Sequence, residues 1–280
     1  MQILSGKPIS DSLRKSILRR SESLISKGVE PKMIVILIGN HLPSEIYVKH
    51  KEKFCNDTKI ECEVLRFSES IKESELIDKI KQINEDSKVH GLIVQLPIPD
   101  HISQAKVIQS ISPKKDVDGF TFKNLGKTFI EEKNALLPAT PAGVLKILDN
   151  HSLSVKGKHC VVIGHSIIVG KPLAVLLLSR DATVSVCNIF TEDISEFTKK
   201  ADFIFTAVGK ANLITKDMVK DGFVGVDIGI SRDENGKISG DLNFEGLKEK
   251  ASYLTPVPGG VGVVTVATLC ENVVKAAEGF

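Results

Sequence analysis

The sequence has no tryptophan and only two tyrosines, and its formal net charge at pH 7 is +2. Its basic residues are mixed with acidic ones, as in the run from Lys49 to Lys53. Proteins that bind single-stranded nucleic acid set aromatic side chains within a basic groove, and the sequence lacks such a stripe. We therefore expect no nucleic acid partner.

The five cysteines are odd in number and include no Cys-x-x-Cys pair. A disulfide framework normally uses an even number of cysteines, and a zinc site normally uses closely paired ones. We expect free thiols in a reducing compartment, with no structural disulfide and no metal site.

Long apolar runs are also missing, since none approaches the roughly 20 residues that a membrane-spanning helix requires. Residues 1–8 lack the basic start, apolar stretch and small-residue cleavage site of a signal peptide. We expect a cytoplasmic protein with no membrane partner.

The chain has 280 residues, more than the roughly 100–200 usual for one domain, so two domains are expected. Apolar runs rich in Val and Ile alternate with segments of helical period, which predicts an α/β fold with parallel sheets. The predicted strands are 33–38, 64–67, 91–95, 160–163, 183–187, 203–206 and 224–228. The first predicted helix is 10–27, with Ser10 as its N-cap and Gly28 as its stop.

Pro138 and Pro141 mark the expected domain boundary, because two nearby prolines interrupt regular structure just before a new helix. We predict a first domain at 1–139 and a second at 140–262. The last segment, 263–280, has helical periodicity and is expected to pack back on the first domain.

Three polar side chains share one face of a predicted helix in the segment 42–51. Ser44, Tyr47 and Lys51 lie at positions i, i+3 and i+7, and Pro43 suits a first helical turn. The alternative is a solvated amphipathic helix on which Lys51 is one of several surface lysines.

Gln95 ends the apolar strand predicted at 91–95, and ligands of open α/β sheets bind at that end of the strands. The alternative is a glutamine satisfied by loop backbone groups. Further on, Asp116 and Asp118 lie in a predicted loop. A fixed carboxylate there can accept paired hydrogen bonds from a ring N–H and an adjacent amino group, although an Asx turn beside Gly119 is equally open.

Two glycine-rich stretches indicate close approach of the backbone to a ligand. The strand at 160–163 runs into a turn bracketed by Gly164 and Gly170 and then into a helix whose N-terminus can meet a pyrophosphate. The turn does not match Gly-x-Gly-x-x-Gly, and βα turns without a ligand also use glycine. The stretch 255–262 holds two prolines and three glycines, which suits either a ligand contact or a rigid turn.

In their order along the chain, these segments resemble the methylenetetrahydrofolate dehydrogenase and methenyltetrahydrofolate cyclohydrolase family over essentially the whole length. The matching pieces are Tyr47 with Lys51, Val94-Gln95-Leu96-Pro97, Lys115-Asp116-Val117-Asp118-Gly119, Pro138-x-Thr140-Pro141-x-Gly143, Gly164-x-Ser166-x-Ile168-Val169-Gly170-x-Pro172, Asp227-x-Gly229-Ile230, and Pro256-Val257-Pro258-Gly259-Gly260-Val261-Gly262.

The resemblance implies a folate-binding catalytic domain and a Rossmann-like cofactor domain that face each other across a cleft, in a homodimer. It implies two reactions: NADP-dependent oxidation of 5,10-methylenetetrahydrofolate to the 5,10-methenyl form, and hydrolysis of that product to 10-formyltetrahydrofolate. The implied role of Lys51 is acid–base catalysis, which requires the lysine to be partly neutral. Gln95 would hold its amine, Tyr47 would stack on the aminobenzoyl ring, and Asp118 would hold the pterin.

The resemblance also assigns contact residues. The expected folate contacts are Ser44, Tyr47, Gln95, Leu96, Pro97, Asp118, Pro258, Gly259 and Gly260. The expected cofactor contacts are Gly164, His165, Ser166, Ile189 and Ile230.

The expected cofactor site departs from the family pattern at two positions, one in the turn after the strand at 160–163 and one just after the strand at 183–187. His165 stands where the family usually has Arg, and Ile189 stands where relatives often have Arg or Ser. Both changes remove donors from the expected 2′-phosphate site. No acidic residue ends the following strand, so the usual mark of NAD is missing too. We expect NADP first and NAD second.

Three rival interpretations remain at this point. One is a two-domain dehydrogenase for another small substrate, such as a shikimate-type enzyme. The second is a monofunctional cyclohydrolase with a weak nucleotide site, and the third is a noncatalytic folate- or nucleotide-binding protein.

Overall fold

The structure is a computed structural model, and it describes residues 1–132, 134–232 and 238–279. Two compact units are present. The three-strand unit comprises Asp11–Ala139 and the described residues from Val266 onward, and the six-strand unit comprises Met1–Ser10 and Thr140–Thr265. Phe280, the end of the predicted last helix, lies outside the described residues.

The strands, in chain order, are β1 Gln2–Ile3, β2 Lys32–Ile38, β3 Glu61–Phe67, β4 Gly91–Val94, β5 His159–Ile163, β6 Thr183–Cys187, β7 Phe203–Thr206, β8 Val224–Asp227, β9 Ser231–Arg232, β10 Ile238–Ser239 and β11 Tyr253–Leu254. The helices are α1 Lys7–Ile25, α2 Leu42–Asp57, α3 Glu73–Glu85, α4 Gln104–Ser110, α5 Phe122–Phe129, α6 Ala139–Asn150, α7 Gly170–Leu178, α8 Ser195–Thr198, α9 Phe244–Leu247 and α10 Val261–Ala277, with a short 3-10 turn at Lys216–Met218. None of these helices has both the length and the apolar character needed to cross a membrane.

The three-strand unit is built around β2, which lies between β3 and β4 in a parallel sheet. Alternate residues of β2 point to opposite faces, and both faces are covered by helices, so the strand is apolar throughout. Met33, Val35 and Leu37 pack in one core with residues of α1, α2 and α10. The intervening residues, Ile34, Ile36 and Ile38, pack in a second core with residues of α3 and α4.

The six-strand unit contains a parallel sheet in the order β1-β11-β8-β7-β5-β6. The chain passes from β5 to β6 on one side and then crosses to β7 on the other side of β5. The strand order therefore reverses between β5 and β7. Ligands of doubly wound folds bind at the carboxyl ends of the strands at such a point.

The α/β class with parallel sheets is confirmed, but several predicted boundaries were wrong. The first helix begins at Lys7 rather than after Ser10, because the Gly6 carbonyl already accepts the Ser10 N–H at 2.9 Å. Pro8 needs no N–H in that first turn. The strand predicted to include Gln95 ends at Val94, and Gln95 follows it directly.

The division into a folate-binding domain at 1–139 and a cofactor domain at 140–262 stays a prediction. The compact units differ from them at the start of the chain, where residues 1–10 belong to the six-strand unit. Backbone pairing explains this, since Gln2–Ile3 forms a strand beside Tyr253–Leu254.

Asn272 of α10 fastens that helix to two loop carbonyls in the three-strand unit. Its side-chain amide donates to the Val117 carbonyl at 2.9 Å and to the Leu137 carbonyl at 3.0 Å. The side chain is 2% exposed, so water cannot replace it as a donor.

Replacing Asn272 with Ala should therefore lower the free energy of unfolding by about 1–3 kcal/mol, because one buried and one partly buried carbonyl lose their donor. Urea unfolding of the two proteins measures the difference. Asn56→Ala, at an exposed position of α2, serves as the control and should change stability by less than about 0.5 kcal/mol. Equal stability of Asn272→Ala and the unaltered protein would contradict the expectation.

Candidate active site

One face of α2 presents the three side chains that the spacing places together. Ser44 is 2% exposed, while Tyr47 and Lys51 are partly exposed. Desolvation raises the pKa of the Tyr47 phenol above its ordinary value, so the ring is a neutral, half-buried surface. Helix α2 has Pro43 in its first turn, as predicted.

Lys51 lies against the residue that follows β4. Its Nζ donates to the Gln95 side-chain oxygen at 2.9 Å. The Gln95 side-chain nitrogen donates to the Leu96 carbonyl at 2.8 Å. Because that carbonyl can only accept, the Gln95 amide is held with its oxygen toward Lys51.

The Leu96 carbonyl also receives a second donor. Ser44 Oγ donates to it at 3.3 Å, and His41 Nδ1 lies 2.9 Å from Ser44 Oγ. The peptide bond between Leu96 and Pro97 is cis. Ser44, Lys51, Gln95 and Leu96 are thus linked by hydrogen bonds, which the order of the sequence alone does not reveal.

The two carboxylates of the loop after α4 have different surroundings. Asp116 is 1% exposed, and its carboxylate accepts the backbone N–H groups of Gly119, Phe120 and Thr121 at 2.8–3.0 Å. It also accepts the Asn124 side-chain amide at 2.8 Å. The Asx-turn alternative therefore applies to Asp116.

Asp118 remains partly accessible, although protein atoms surround most of its carboxyl group. Desolvation raises its pKa to about 6, with the positive charge of Lys51 acting against that rise and the Asp116 carboxylate adding to it. Asp118 and Lys51 are therefore electrostatically coupled. Gly119 follows with φ of +77°, and a side chain there would strike the Leu136–Pro138 backbone.

The glycine-bracketed turn lies after β5 in the six-strand unit. Gly164 has φ of +111°, and a Cβ atom there would lie 2.6 Å from the Ala207 carbonyl oxygen, so only glycine fits. His165 is exposed. Ser166 Oγ accepts the backbone N–H groups of Val169 and Gly170 at 3.2 and 3.4 Å, which caps the start of α7.

The other predicted cofactor residues follow two other strands of the same sheet. Ile189 lies just beyond β6 and is 87% exposed, and Ile230 lies just beyond β8 and is 45% exposed. Because all strands of this sheet are parallel, both residues lie at the edge where Gly164 lies.

The turn predicted at 255–262 has a structural partner that sequence reasoning missed. The Gly6 N–H donates to the Gly259 carbonyl at 2.9 Å, and a Cβ atom on Gly6 would lie 2.1 Å from the Gly260 carbonyl oxygen. Pro258 remains exposed, and the peptide bond before it is cis. The stretch is thus a rigid turn with one face open.

Sequence reasoning also missed the loop after β7. Ala207, Val208, Gly209 and Lys210 follow that strand at the point where the strand order reverses. The only signal was its place after an apolar strand, because the residues themselves match no motif. Among the described residues, no group of three or more His, Cys, Asp or Glu side chains is arranged to hold a metal ion.

Comparison with known proteins gives matches over both units. Residues 4–118 match the family model described as the tetrahydrofolate dehydrogenase/cyclohydrolase catalytic domain, and residues 138–280 match that of the same family's NAD(P)-binding domain. The bifunctional protein FolD of Nautilia profundicola is 46% identical over 280 residues, covering 100% of this chain and 98% of that protein.

Solved structures agree with these matches. The bifunctional FolD methylenetetrahydrofolate dehydrogenase/cyclohydrolase of Campylobacter jejuni superposes with a TM-score of 0.97 at 46% identity, covering 100% of this chain and 99% of that one. The Trypanosoma brucei dehydrogenase-cyclohydrolase, complexed with NADP cofactor and an inhibitor, superposes with a TM-score of 0.94 at 30% identity, covering 99% and 97%.

These matches decide against a shikimate-type dehydrogenase as the family of this protein. They also agree with the ordered set of motifs from which the resemblance was inferred. The chain belongs to the tetrahydrofolate dehydrogenase/cyclohydrolase family and is a bifunctional, NADP-dependent enzyme of that family.

Proposed function

We propose that Lys51 is the acid–base group of the cyclohydrolase reaction and that the three-strand unit binds the folate. The enzyme oxidises 5,10-methylenetetrahydrofolate to 5,10-methenyltetrahydrofolate with NADP and hydrolyses that product to 10-formyltetrahydrofolate. The observation that carries the assignment is the hydrogen bond of 2.9 Å between Lys51 and Gln95.

Hydrolysis needs two proton transfers. The attacking water loses a proton as it adds to the methenyl carbon, and a ring nitrogen gains one as its bond to that carbon breaks. One group that first accepts and then donates a proton can serve both steps. A lysine amine meets this requirement when it is neutral at the start.

Gln95 is a suitable neighbour for such an amine. A carboxylate in its place would form an ion pair and favour the ammonium form, whereas the uncharged amide adds no net charge. Its oxygen accepts one Lys51 N–H, and this fixes the direction of the nitrogen.

Asp118 is proposed to hold the pterin. Its carboxylate can accept paired hydrogen bonds from a ring N–H and the neighbouring amino group. Asp116 forms the turn, and no hydrogen bond within the described residues draws the Asp118 carboxylate into that turn. Asp118 is therefore the carboxylate of this loop left for a ligand.

Tyr47 is proposed to stack on the aminobenzoyl ring, because its half-buried phenol offers an apolar face. Leu96 and Pro97 are proposed to complete the folate contacts of the three-strand unit. Ser44 stays a predicted folate contact, and we propose that it also holds the Leu96 carbonyl.

The proposed NADP site lies at the carboxyl ends of the strands in the six-stranded sheet. Gly164 allows the close approach of a phosphate, and His165, Ser166, Ile189 and Ile230 lie along the same edge. The hydride step needs little acid or base help, since the folate nitrogens delocalise the developing charge. The protein's contribution there is orientation of the cofactor. NAD stays a second predicted cofactor.

Replacing Lys51 with Met should lower cyclohydrolase kcat by about 100-fold or more, the usual size of an acid–base contribution. Dehydrogenase activity should be retained in large part, because hydride transfer does not use the amine. Loss of methenyltetrahydrofolate absorbance measures the first reaction, and NADPH formation measures the second. Lys53→Met, at an exposed position of the same helix, is the matched control.

An unchanged cyclohydrolase rate in Lys51→Met would remove Lys51 from the mechanism. Equal loss of both activities would instead indicate that Lys51 serves only to bind the folate.

The pKa of Asp118, raised to about 6, predicts a pH dependence of folate binding. The carboxylate is present above that value, so the KM for folate should rise as pH falls below about 6. Loss of protein stability on protonation of Asp118 does not explain such a rise in KM. Because the folded-state pKa lies above the ordinary value of 3.8, protonation of Asp118 favours the folded state, and that stability is lost as pH rises through about 6.

Asp118→Asn should raise the folate KM at neutral pH and remove this step from the pH profile. Asp100→Asn, an exposed position in the same unit, is the control and should keep the profile. A profile of Asp118→Asn that matches the unaltered protein would disprove the assignment.

We further propose that the enzyme is a homodimer that pairs through the β6 edge of the six-stranded sheet. That edge strand has no neighbour on its outer side within the described residues, and Val186 on it is 43% exposed. Phe190, just beyond the strand, is 86% exposed. An open strand beside exposed apolar side chains invites pairing with a second copy.

Val186→Lys should shift the protein from dimer to monomer in sedimentation velocity, because the added charge would be desolvated at the interface. Ile3→Lys places the same charge on β1, the opposite edge strand of the sheet, and should leave the dimer intact. Dissociation by Ile3→Lys alone would assign the interface to the other edge.

We also propose that the enzyme acts in the cytoplasm on free tetrahydrofolate derivatives, without nucleic acid. The near-neutral charge of +2 and the mixing of basic and acidic residues support this.

A further inference from the structure

Two buried carboxylates lie in the six-strand unit, outside the residues so far assigned to either ligand. Asp227 ends β8 and is 3% exposed, and Asp241 follows β10 and is 0% exposed. No hydrogen bond or ion pair joins either to a cationic side chain within the described residues. Buried carboxylates of this kind need strong donors from elsewhere.

Backbone N–H groups supply the donors of Asp241. Its Oδ2 accepts the Val208 N–H at 2.7 Å, and its Oδ1 accepts the Lys210 N–H at 2.8 Å. Both groups belong to the loop after β7. The carboxylate therefore fixes this loop at two points.

Asp227 holds Asp241 in place through the backbone. Its Oδ1 accepts the Asp241 N–H at 3.0 Å, and its Oδ2 accepts the Leu242 N–H at 2.7 Å. The same Oδ1 accepts the Gly229 N–H and the Thr206 hydroxyl, both at 3.1 Å. Asp227 thus ties the ends of β7 and β8 to the segment that carries Asp241.

Two glycines make room for this arrangement. A Cβ atom on Gly229 would lie 2.2 Å from the Asp241 carboxylate, and one on Gly240 would lie 2.1 Å from the Asp227 carboxylate. Desolvation raises the pKa of Asp227 to about 7 and the pKa of Asp241 above its ordinary value, while the backbone donors oppose both rises.

The loop after β7 lies at the carboxyl ends of the strands, where the NADP site is proposed. Gly164 of the β5 turn packs against the Ala207 carbonyl, and a Cβ atom on Gly209 would lie 3.7 Å from the Ile230 carbonyl oxygen. The loop after β7 is therefore next to the loops that follow β5 and β8. Its Val208 side chain is 48% exposed and offers an apolar surface to a ring of the cofactor.

We propose that Asp241 is a positioning residue for NADP: held by Asp227, it fixes the Val208–Lys210 loop in the conformation that receives the cofactor. The inference rests on the proposed cofactor edge of the six-strand unit. Asp241 does not touch the cofactor, because the residue is 0% exposed. It acts through the loop.

Asp241→Asn tests the inference with a change of minimal size. The amide can accept through one oxygen only, and its NH2 group would face a backbone N–H that has no acceptor. We expect the KM for NADP to rise about tenfold or more, which is the usual effect of losing a hydrogen bond to a charged group. The dehydrogenase kcat at saturating NADP, the folate KM and the cyclohydrolase kcat should stay near those of the unaltered enzyme.

Asp217→Asn is the matched control, since Asp217 is an exposed carboxylate of the same unit whose partners among the described residues are the Thr215 hydroxyl and its own backbone N–H. It should change neither KM. If the folded Asp241→Asn protein has an unchanged KM for NADP, the inference is overturned.

A second measurement applies to the unaltered enzyme and decides the matter if Asp241→Asn does not fold. Hydrogen–deuterium exchange of the peptide around 207–211 should show protected amides before NADP is added. Fast, unprotected exchange there would overturn the inference. Failure of the unaltered enzyme to bind NADP at all would instead contradict the proposed cofactor site.

Discussion

Buried carboxylates that accept backbone N–H groups fix the loops at the carboxyl ends of the strands in both units. Asp116 organises the loop that carries Asp118, while Asp227 and Asp241 organise the loops after β7 and β8. A parallel sheet ends in a row of loops, and each loop exposes N–H groups that nothing in the sheet satisfies. A buried carboxyl group accepts from several of them at once, and it leaves the neighbouring side chains free for ligands.

The α/β architecture could be predicted because its signals are local. The all-apolar run of β2 indicates a strand covered on both faces, and the spacing of Ser44, Tyr47 and Lys51 indicates one helix face. The contact between Lys51 and Gln95 could be expected only from the family resemblance, since the two residues are 44 positions apart. Each motif alone was weak evidence for the family, whereas the order of the motifs along the chain was specific for it.

Other features depend on contacts that no local pattern encodes. Asp116 and Asp118 look equivalent in sequence, and only the surrounding N–H groups give them different tasks. Asp241 belongs to no motif that sequence reasoning had singled out. The early start of α1 depends on Gly6, which packs against the distant turn at Gly259 and Gly260. In each case the deciding partner is remote along the chain.

The mutual packing of two acids and two glycines restricts how this protein can change over time. Asp227 leaves no room for a side chain at residue 240, and Asp241 leaves none at residue 229. A change at one glycine would displace the carboxylate that faces it, and loss of one carboxylate would leave several N–H groups buried without an acceptor. A single change within residues 227, 229, 240 and 241 therefore creates a clash or removes hydrogen bonds, so the four positions are constrained together.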